Sequence, residues 1–505
     1  MDYLIYIYLV LVLSLTVSPT LVCFLAVLAL GIIAIVYDSK KKGKGECNSK
    51  IAIDPTLKPN STIKVFAICF SIVLSGTMAY WLSYYPGGLN LDALGQWEQA
   101  HGLMELNDWH PLMSTIIIKL STKICDSFAF CILLQVLMFS IATALLLSTL
   151  SQNGTPTIIS VAIAIYIAIN PAIGLNTISL TKDAQFTILA VLMTDALIRI
   201  HYTEGKWLLS VCRCQYLAFI TALICLVRHN GILLAFPAIA LALLLNRSAA
   251  RRLIYTAVIS ALCILAVKVP IAAALRVAPH EDPVGEAMGI PMAIMANALV
   301  TNPDSIPDDV HDFLNCIADD ASWKEQYCLG EWDSCKWAFP NAAIVKETKP
   351  SQLLGYTLKT IGACPEAAYA SIRANTNIVW QPITMKDYWI PEVYIEDNEH
   401  GITMNPIKPF PSITSALIGL SQLPLLSTSC WNTGAQIIVI LAAFLLTGRE
   451  RYNSAAFLYV PLLVYDMGTM LLLAGPNQRY FYCNAVLFLP IAAAALIRRG
   501  VVCQS

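Results

Sequence analysis

The chain of 505 residues is 57% hydrophobic and only 13% charged, with a formal net charge of −1. Soluble domains carry about a quarter charged residues, so a string of soluble domains, a collagen-like chain, a disordered chain and a small disulfide scaffold are all excluded. Apolar blocks at 20–37, 63–82, 128–150 and 454–474 match a hydrocarbon core about 30 Å thick, and an all-α polytopic integral membrane protein is the expected class.

In chain order, Tyr3–Ser18 and Thr20–Tyr37 read as a retained helical hairpin broken near Pro19, because Met1-Asp2 lacks the basic start of a signal peptide. Lys40, Lys41, Lys42, Lys44 and Lys50 follow in a polar linker that positive-inside reasoning places in the cytoplasm. From that anchor, further spans are expected near 63–83, 128–150, 156–173, 184–202, 209–226, 231–246, 253–276, 430–447, 454–474 and 480–498. The cytoplasmic turns then hold Arg199/Lys206/Arg213, Arg247/Arg251/Arg252, Arg449/Arg451 and Arg498/Arg499. The expectation is about twelve transmembrane helices, both termini inside, in a cell membrane. Four parts follow: an N-terminal hairpin and linker (1–62), a transmembrane core (63–276) containing the first outer loop (84–127), an outer domain (277–429), and C-terminal transmembrane helices (430–505). No internal repeat marks two related halves.

The chemically unusual residues fall on the outer connections. The first outer loop runs from Tyr84-Tyr85-Pro86-Gly87-Gly88 to Asp92, then through Gln96-Trp97-Glu98 to Asn107-Asp108-Trp109-His110-Pro111. Its 91–106 stretch suits a short amphipathic helix in the interface, with Leu91, Leu94, Trp97 and Leu103 against lipid or protein. Trp97 and Trp109 also read as interface anchors.

This loop resembles the first outer loop of the GT-C glycosyltransferases, in the branch of the protein O-mannosyltransferases and lipid A aminoarabinose transferases. The resemblance rests on an acidic residue after an early helix, an amphipathic stretch, and Asp-Trp about sixteen residues on, and spans about 30 residues. It implies that Asp92 lies at the active site beside the acceptor, with Asp108-Trp109 as the later pair. The family often has Asp-Glu where this chain has Asp92-Ala93, which leaves a neighbouring carboxylate and a divalent metal open. No other cofactor is called for. The implied donor is a polyprenyl-phosphate sugar, and the implied acceptor is a cell-envelope glycan, lipid or protein.

Such a transfer needs a base beside the acceptor and cations around the departing phosphate. Lys182 and Asp183 open a helix, where Thr181 or Asp183 also suits a cap and Lys182 a phosphate contact. Arg228-His229-Asn230 forms a polar outer turn in which Arg228 either snorkels or binds phosphate. Arg479-Tyr480, before the last span, resembles the Arg-Tyr element of several GT-C proteins, with Arg479 as a phosphate clamp. Lys268, inside an apolar span, is a further cation candidate, and Asp466 is a carboxylate of the same kind that pairs with a neighbour or faces a polar cavity.

Residues 279–410 carry 19 acidic and 8 basic side chains. With Trp323, Trp332, Trp337, Trp380 and Trp389, this stretch reads as a folded outer domain opened by His280-Glu281-Asp282. Cys316, Cys328, Cys335 and Cys364 make one disulfide the expectation on that side. Scattered basic residues argue against nucleic-acid binding. Two further readings stand beside transfer: a transporter or flippase of a lipid-linked saccharide, which Lys268 and Asp466 favour, and a polysaccharide polymerase or ligase. A glycosidase using Asp92 and Asp108 ranks lower.

Overall fold

A computed structural model describes residues 59–278, 287–382, 391–446 and 449–496. The expected hairpin before residue 38, the lysine linker, His280-Glu281-Asp282, Trp389 and Arg498/Arg499 lie outside the described residues. The expected spans within them overlap helices, although 156–173 and 430–447 each run across two. The described residues are all helical, joined by irregular segments and a few isolated β-bridges.

Helices α1 (Pro59–Ser83), α2 (Leu91–His101), α3 (Leu112–Ile124) and α4 (Phe128–Gln152) come first. Helices α5 (Thr157–Ile169) and α6 (Pro171–Thr177) form a pair bent by 64°, because Pro171 has no amide hydrogen and Asn170 caps the second half instead. Helix α7 (Lys182–Tyr202), α8 (Val211–Val227), α9 (Ile232–Leu245) and α10 (Ala250–Ala266) follow. The last continues through a π-turn at Val267–Ile271, where Pro270 lacks a donor for the α-helical ladder.

Among the described residues, five helices are long and apolar enough to cross a membrane, or six when the bent pair counts as one span. Val211–Val227, His229–Leu245, Thr433–Leu446 and Ala456–Met470 are apolar but shorter. The expected count of twelve therefore exceeds what these helices carry by length alone. Helix α10 shows what the apolar surface faces: Ile254, Val258, Leu262 and Leu265 recur at helical spacing and are all exposed. An outward apolar stripe of this kind suits lipid.

The 277–429 region divides. Residues 289–364 build a second core in which Trp323 stacks on Trp332 with centroids 5.9 Å apart, around Leu314, Ile317, Cys335 and Cys364. The Trp323 indole donates to the Leu314 carbonyl, so its polar atom is satisfied. The helix Pro365–Trp380 instead returns to the main bundle, whose core takes Val379 and Trp380. The helix Phe410–Ser421 packs against α1. The expected disulfide is not formed: Cys316, Cys328, Cys335 and Cys364 are all free. Cys335 and Cys364 are buried as small apolar groups within the second core, while Cys316 and Cys328 lie at its surface.

Candidate functional site

The backbone brings three stretches of sequence to one point. Gly88 donates to the Ile178 carbonyl at 3.0 Å and accepts from the Leu180 amide at 2.9 Å. On the other side, Leu89 donates to Tyr394 and accepts from Glu396. Gly87 allows this close approach: it holds φ at +126°, a region costly for other residues, and a Cβ there would meet Ile132 and the Ile178 carbonyl. Because Gly88 pairs with Ser179, Asp92 and the Lys182-Asp183 pair, a few residues further along in the first turns of α2 and α7, are brought together. Asn90 caps α2 by accepting from the Ala93 amide, and Thr181 caps α7 by accepting from Ala184.

Asp92, His110 and Lys182 form a row. The Lys182 ammonium donates to Nδ1 of His110 at 2.9 Å. An ammonium has no lone pair, so Nδ1 accepts and a neutral ring carries its proton on Nε2. That Nε2 lies 3.7 Å from Oδ1 of Asp92. Burial and the Lys182 charge drive the His110 pKa down to about 3, although Asp92 opposes this. Burial raises the Asp92 carboxyl, but the facing His110 together with the charges of Arg479, Lys182 and Lys336 outweighs it and holds the group below its ordinary range. Asp92 is thus an ionised carboxylate, 46% exposed, on a cavity wall.

Behind the row lies a buried ionic cluster. Asp183, 2% exposed, takes Arg228 on Oδ1 and the Nε of Arg479 on Oδ2 at 3.2 Å. Arg479 also reaches Asp92, Nη2 to Oδ2 at 3.7 Å, so one guanidinium spans both carboxylates. The Arg228 guanidinium is boxed by the rings of Tyr480, Phe186 and Tyr465 at 4.9, 5.6 and 5.9 Å. Its Nε donates to Asn230 at 2.6 Å, and Asn230 donates in turn to Thr469. Arg228 is 4% exposed, which suits it to hold Asp183 and Tyr480 in place. Tyr480 also accepts from Arg479 at 3.4 Å.

Asp92, His110, Lys182, Arg228, Arg479 and Tyr480 line a cavity of about 1630 Å³ between the bundle and the second core. Asp108, Trp109, His229 and Asn230 line it too. Asp108 serves the local fold, since its Oδ1 accepts from the Leu112 amide at 3.0 Å and satisfies an orphan donor at the start of α3. His229 donates from Nε2 to the Asp108 carbonyl at 3.1 Å, tying the two loops together. Trp109 is overlaid by the Lys346 ammonium, 5.7 Å from its centroid. Lys268 stands apart, exposed on the π-turn, where it lines a smaller neighbouring cavity of about 440 Å³ that also touches Asp108 and His229. Asp466 is far into the bundle core, where it accepts from Asn484 at 2.8 Å.

Sequence reading missed part of the wall. Gln478, Glu331, Asp333, Lys336 and Trp337 also line the cavity. The turn carrying Glu331 docks on the loop before Arg479, where Trp332 donates to the Ala474 carbonyl at 2.7 Å, and is tied to the helix Pro365–Trp380 by Asn375, which donates to Gly330 at 2.8 Å. Only the density of acidic and Trp residues hinted at this. Among the described residues, no three His, Cys, Asp or Glu side chains group closely enough to hold a metal ion. Asp92 is moreover ringed by Arg479, Lys182 and Lys336, a setting that does not fit a divalent cation.

Residues 102–339 match the model of a family of unknown function, DUF6020. The matched stretch includes Asp108, His110, Lys182, Asp183, Arg228 and Trp337, with Asp92 and Arg479 outside it. No curated protein matches the chain.

Proposed function

We propose that this protein is a membrane glycosyltransferase of GT-C type that moves a sugar from a polyprenyl-phosphate donor to a hydroxyl acceptor at the membrane's outer face. The observation that carries the reading is the single guanidinium of Arg479 lying beside a cavity-lining carboxylate, Asp92, with Lys182 next to it. An anionic leaving group and a nucleophile to be deprotonated need that combination within one cavity.

In the proposed step the acceptor hydroxyl oxygen attacks the anomeric carbon and its proton passes to Asp92. The bond from that carbon to the phosphate oxygen breaks, and the phosphate leaves with the electron pair. Arg479 and Lys182 offset its charge. One-step displacement inverts the anomeric centre. His110 orients Asp92 and keeps the Lys182 ammonium close without adding a charge of its own, and Asp183 with Arg228 holds Arg479 in place. The test is single-turnover transfer by purified protein supplied with a polyprenyl-phosphate sugar, comparing wild type with Asp92→Asn. Equal turnover by the two would remove Asp92 as the base, and no turnover by wild type would remove the reading.

One observation favours transport of a lipid-linked saccharide instead. Asp466 is fully buried in the bundle, and Asn484 is the partner of only one of its carboxylate oxygens, the kind of intramembrane carboxylate that proton-coupled carriers use. Movement of a labelled lipid-linked sugar across a vesicle membrane, without any transfer product, would favour it.

A further inference from the structure

Part of the cavity wall comes from the second core, and it adds an exposed ring and two carboxylates to the cations around Asp92. Trp337 lines the cavity with 73% of its surface exposed, although large aromatic side chains are usually covered. Beside it, Asp333 is about half exposed, and Glu331 packs over Gly475 of the Arg479 loop. Aromatic rings with nearby carboxylates suit two kinds of ligand: a cation held by ring and charge, or a sugar laid flat on the ring with its hydroxyls donating to the carboxylates.

The chain's own lysines decide between them. The Lys336 ammonium lies 2.7 Å from Asp333 and 5.2 Å from the Trp337 centroid, and so occupies the position a ligand cation would take. Lys346 does the same at Trp109. A second cation would meet these ammonium groups, whereas a neutral polyhydroxyl ligand meets none of that repulsion and finds both donors and acceptors.

We propose that Trp337, with Asp333, Lys336 and Glu331, is a binding platform for a neutral carbohydrate, the acceptor in the transferase reading on which this inference rests. The platform and Asp92 line the same cavity, so a glycan lying on the ring occupies the cavity that the Asp92 carboxylate also lines.

The experiment is direct binding to the full-length protein in nanodiscs, without donor, by calorimetry. The probes are short neutral oligosaccharides of glucose, mannose, galactose and N-acetylglucosamine, and a lysine-rich peptide as the cationic counterpart. At least one oligosaccharide is expected to bind, and Trp337→Ala to weaken it by about tenfold, the loss expected for one aromatic stacking contact. Trp337→Phe should restore part of it. Because Trp337 is exposed, its removal leaves no core cavity. Binding of the peptide alone, of no oligosaccharide, or equally by wild type and Trp337→Ala would overturn the platform. Oligosaccharide binding that depends on Trp337, in a protein that gives no transfer product from a polyprenyl-phosphate sugar, would sink the transferase reading and leave the platform standing.

Discussion

The Lys182 ammonium donates a 2.9 Å hydrogen bond to Nδ1 of His110, and this contact sets the state of the site. It fixes the imidazole as a neutral ring with its proton on Nε2, turned toward Asp92 3.7 Å away. A histidine that most sequence readings would treat as a switch near neutral pH is instead held uncharged, and the ionised group of the pair is the carboxylate.

The pH dependence follows. His110 has its folded pKa driven down to about 3 by burial and Lys182, while an unfolded chain binds the proton near pH 6.5. Below pH 6.5 the unfolded state therefore holds more protons, and stability falls as the pH drops toward about 3. His110→Gln should flatten that part of the profile, read as the thermal midpoint in detergent between pH 4 and 7. Asp92 runs the same way, with stability present above its unfolded pKa and lost as the pH falls through its depressed folded value. Transfer rate should show no inflection between pH 6 and 7 and an acid limb only below about pH 4.

Asp92→Asn should fold and insert yet transfer roughly 10²–10⁴-fold more slowly, because Asn keeps the volume and cannot take the proton. Asp108→Asn should be much milder, since the Asn side-chain oxygen can still accept from the Leu112 amide. Single-turnover rates of the two variants measured side by side check this. Equal, severe losses would mean that Asp108 reaches the reacting atoms.

Asp183→Ala is expected to be a stability variant first. It leaves Arg228 without its carboxylate in a buried setting, where loss of one partner costs about 3–5 kcal/mol, and Arg479 with Asp92 alone. The readout is monodisperse yield and thermal midpoint. Arg479→Lys should fold but use donor poorly, because a point charge cannot reproduce the two-sided fork that spans Asp92 and Asp183.

Orientation is checked by labelling single cysteines in intact cells. Glu105→Cys and Asp304→Cys should react with an impermeant maleimide, and Arg251→Cys should not, in a background with the exposed Cys125, Cys212, Cys316 and Cys328 replaced by Ser. The reverse pattern would place the cavity on the cytoplasmic face.

Helix positions were legible along the chain. Apolar runs bounded by Pro, Gly and basic turns have few alternatives, so the spans expected near 63–83, 128–150 and 184–202 correspond to Thr62–Ser83, Phe128–Gln152 and Lys182–Tyr202. Asp92, Lys182, Arg228 and Arg479 were marked as well, because charged groups at the ends of apolar helices are costly enough to stand out. Their roles came only with the packing of the helices. Arg228 and Asp183 lie 45 residues apart in sequence, and their pairing depends on how α7 meets the turn before α9. That Asp108 caps a helix, that Cys335 is buried as an apolar group, and that Trp337 shares a cavity with Asp92 all depend on how the chain closes around them. Hydropathy and local spacing report what a residue can do with its neighbours along the chain. Which distant partner neutralises, buries or exposes it is set only when the helices pack.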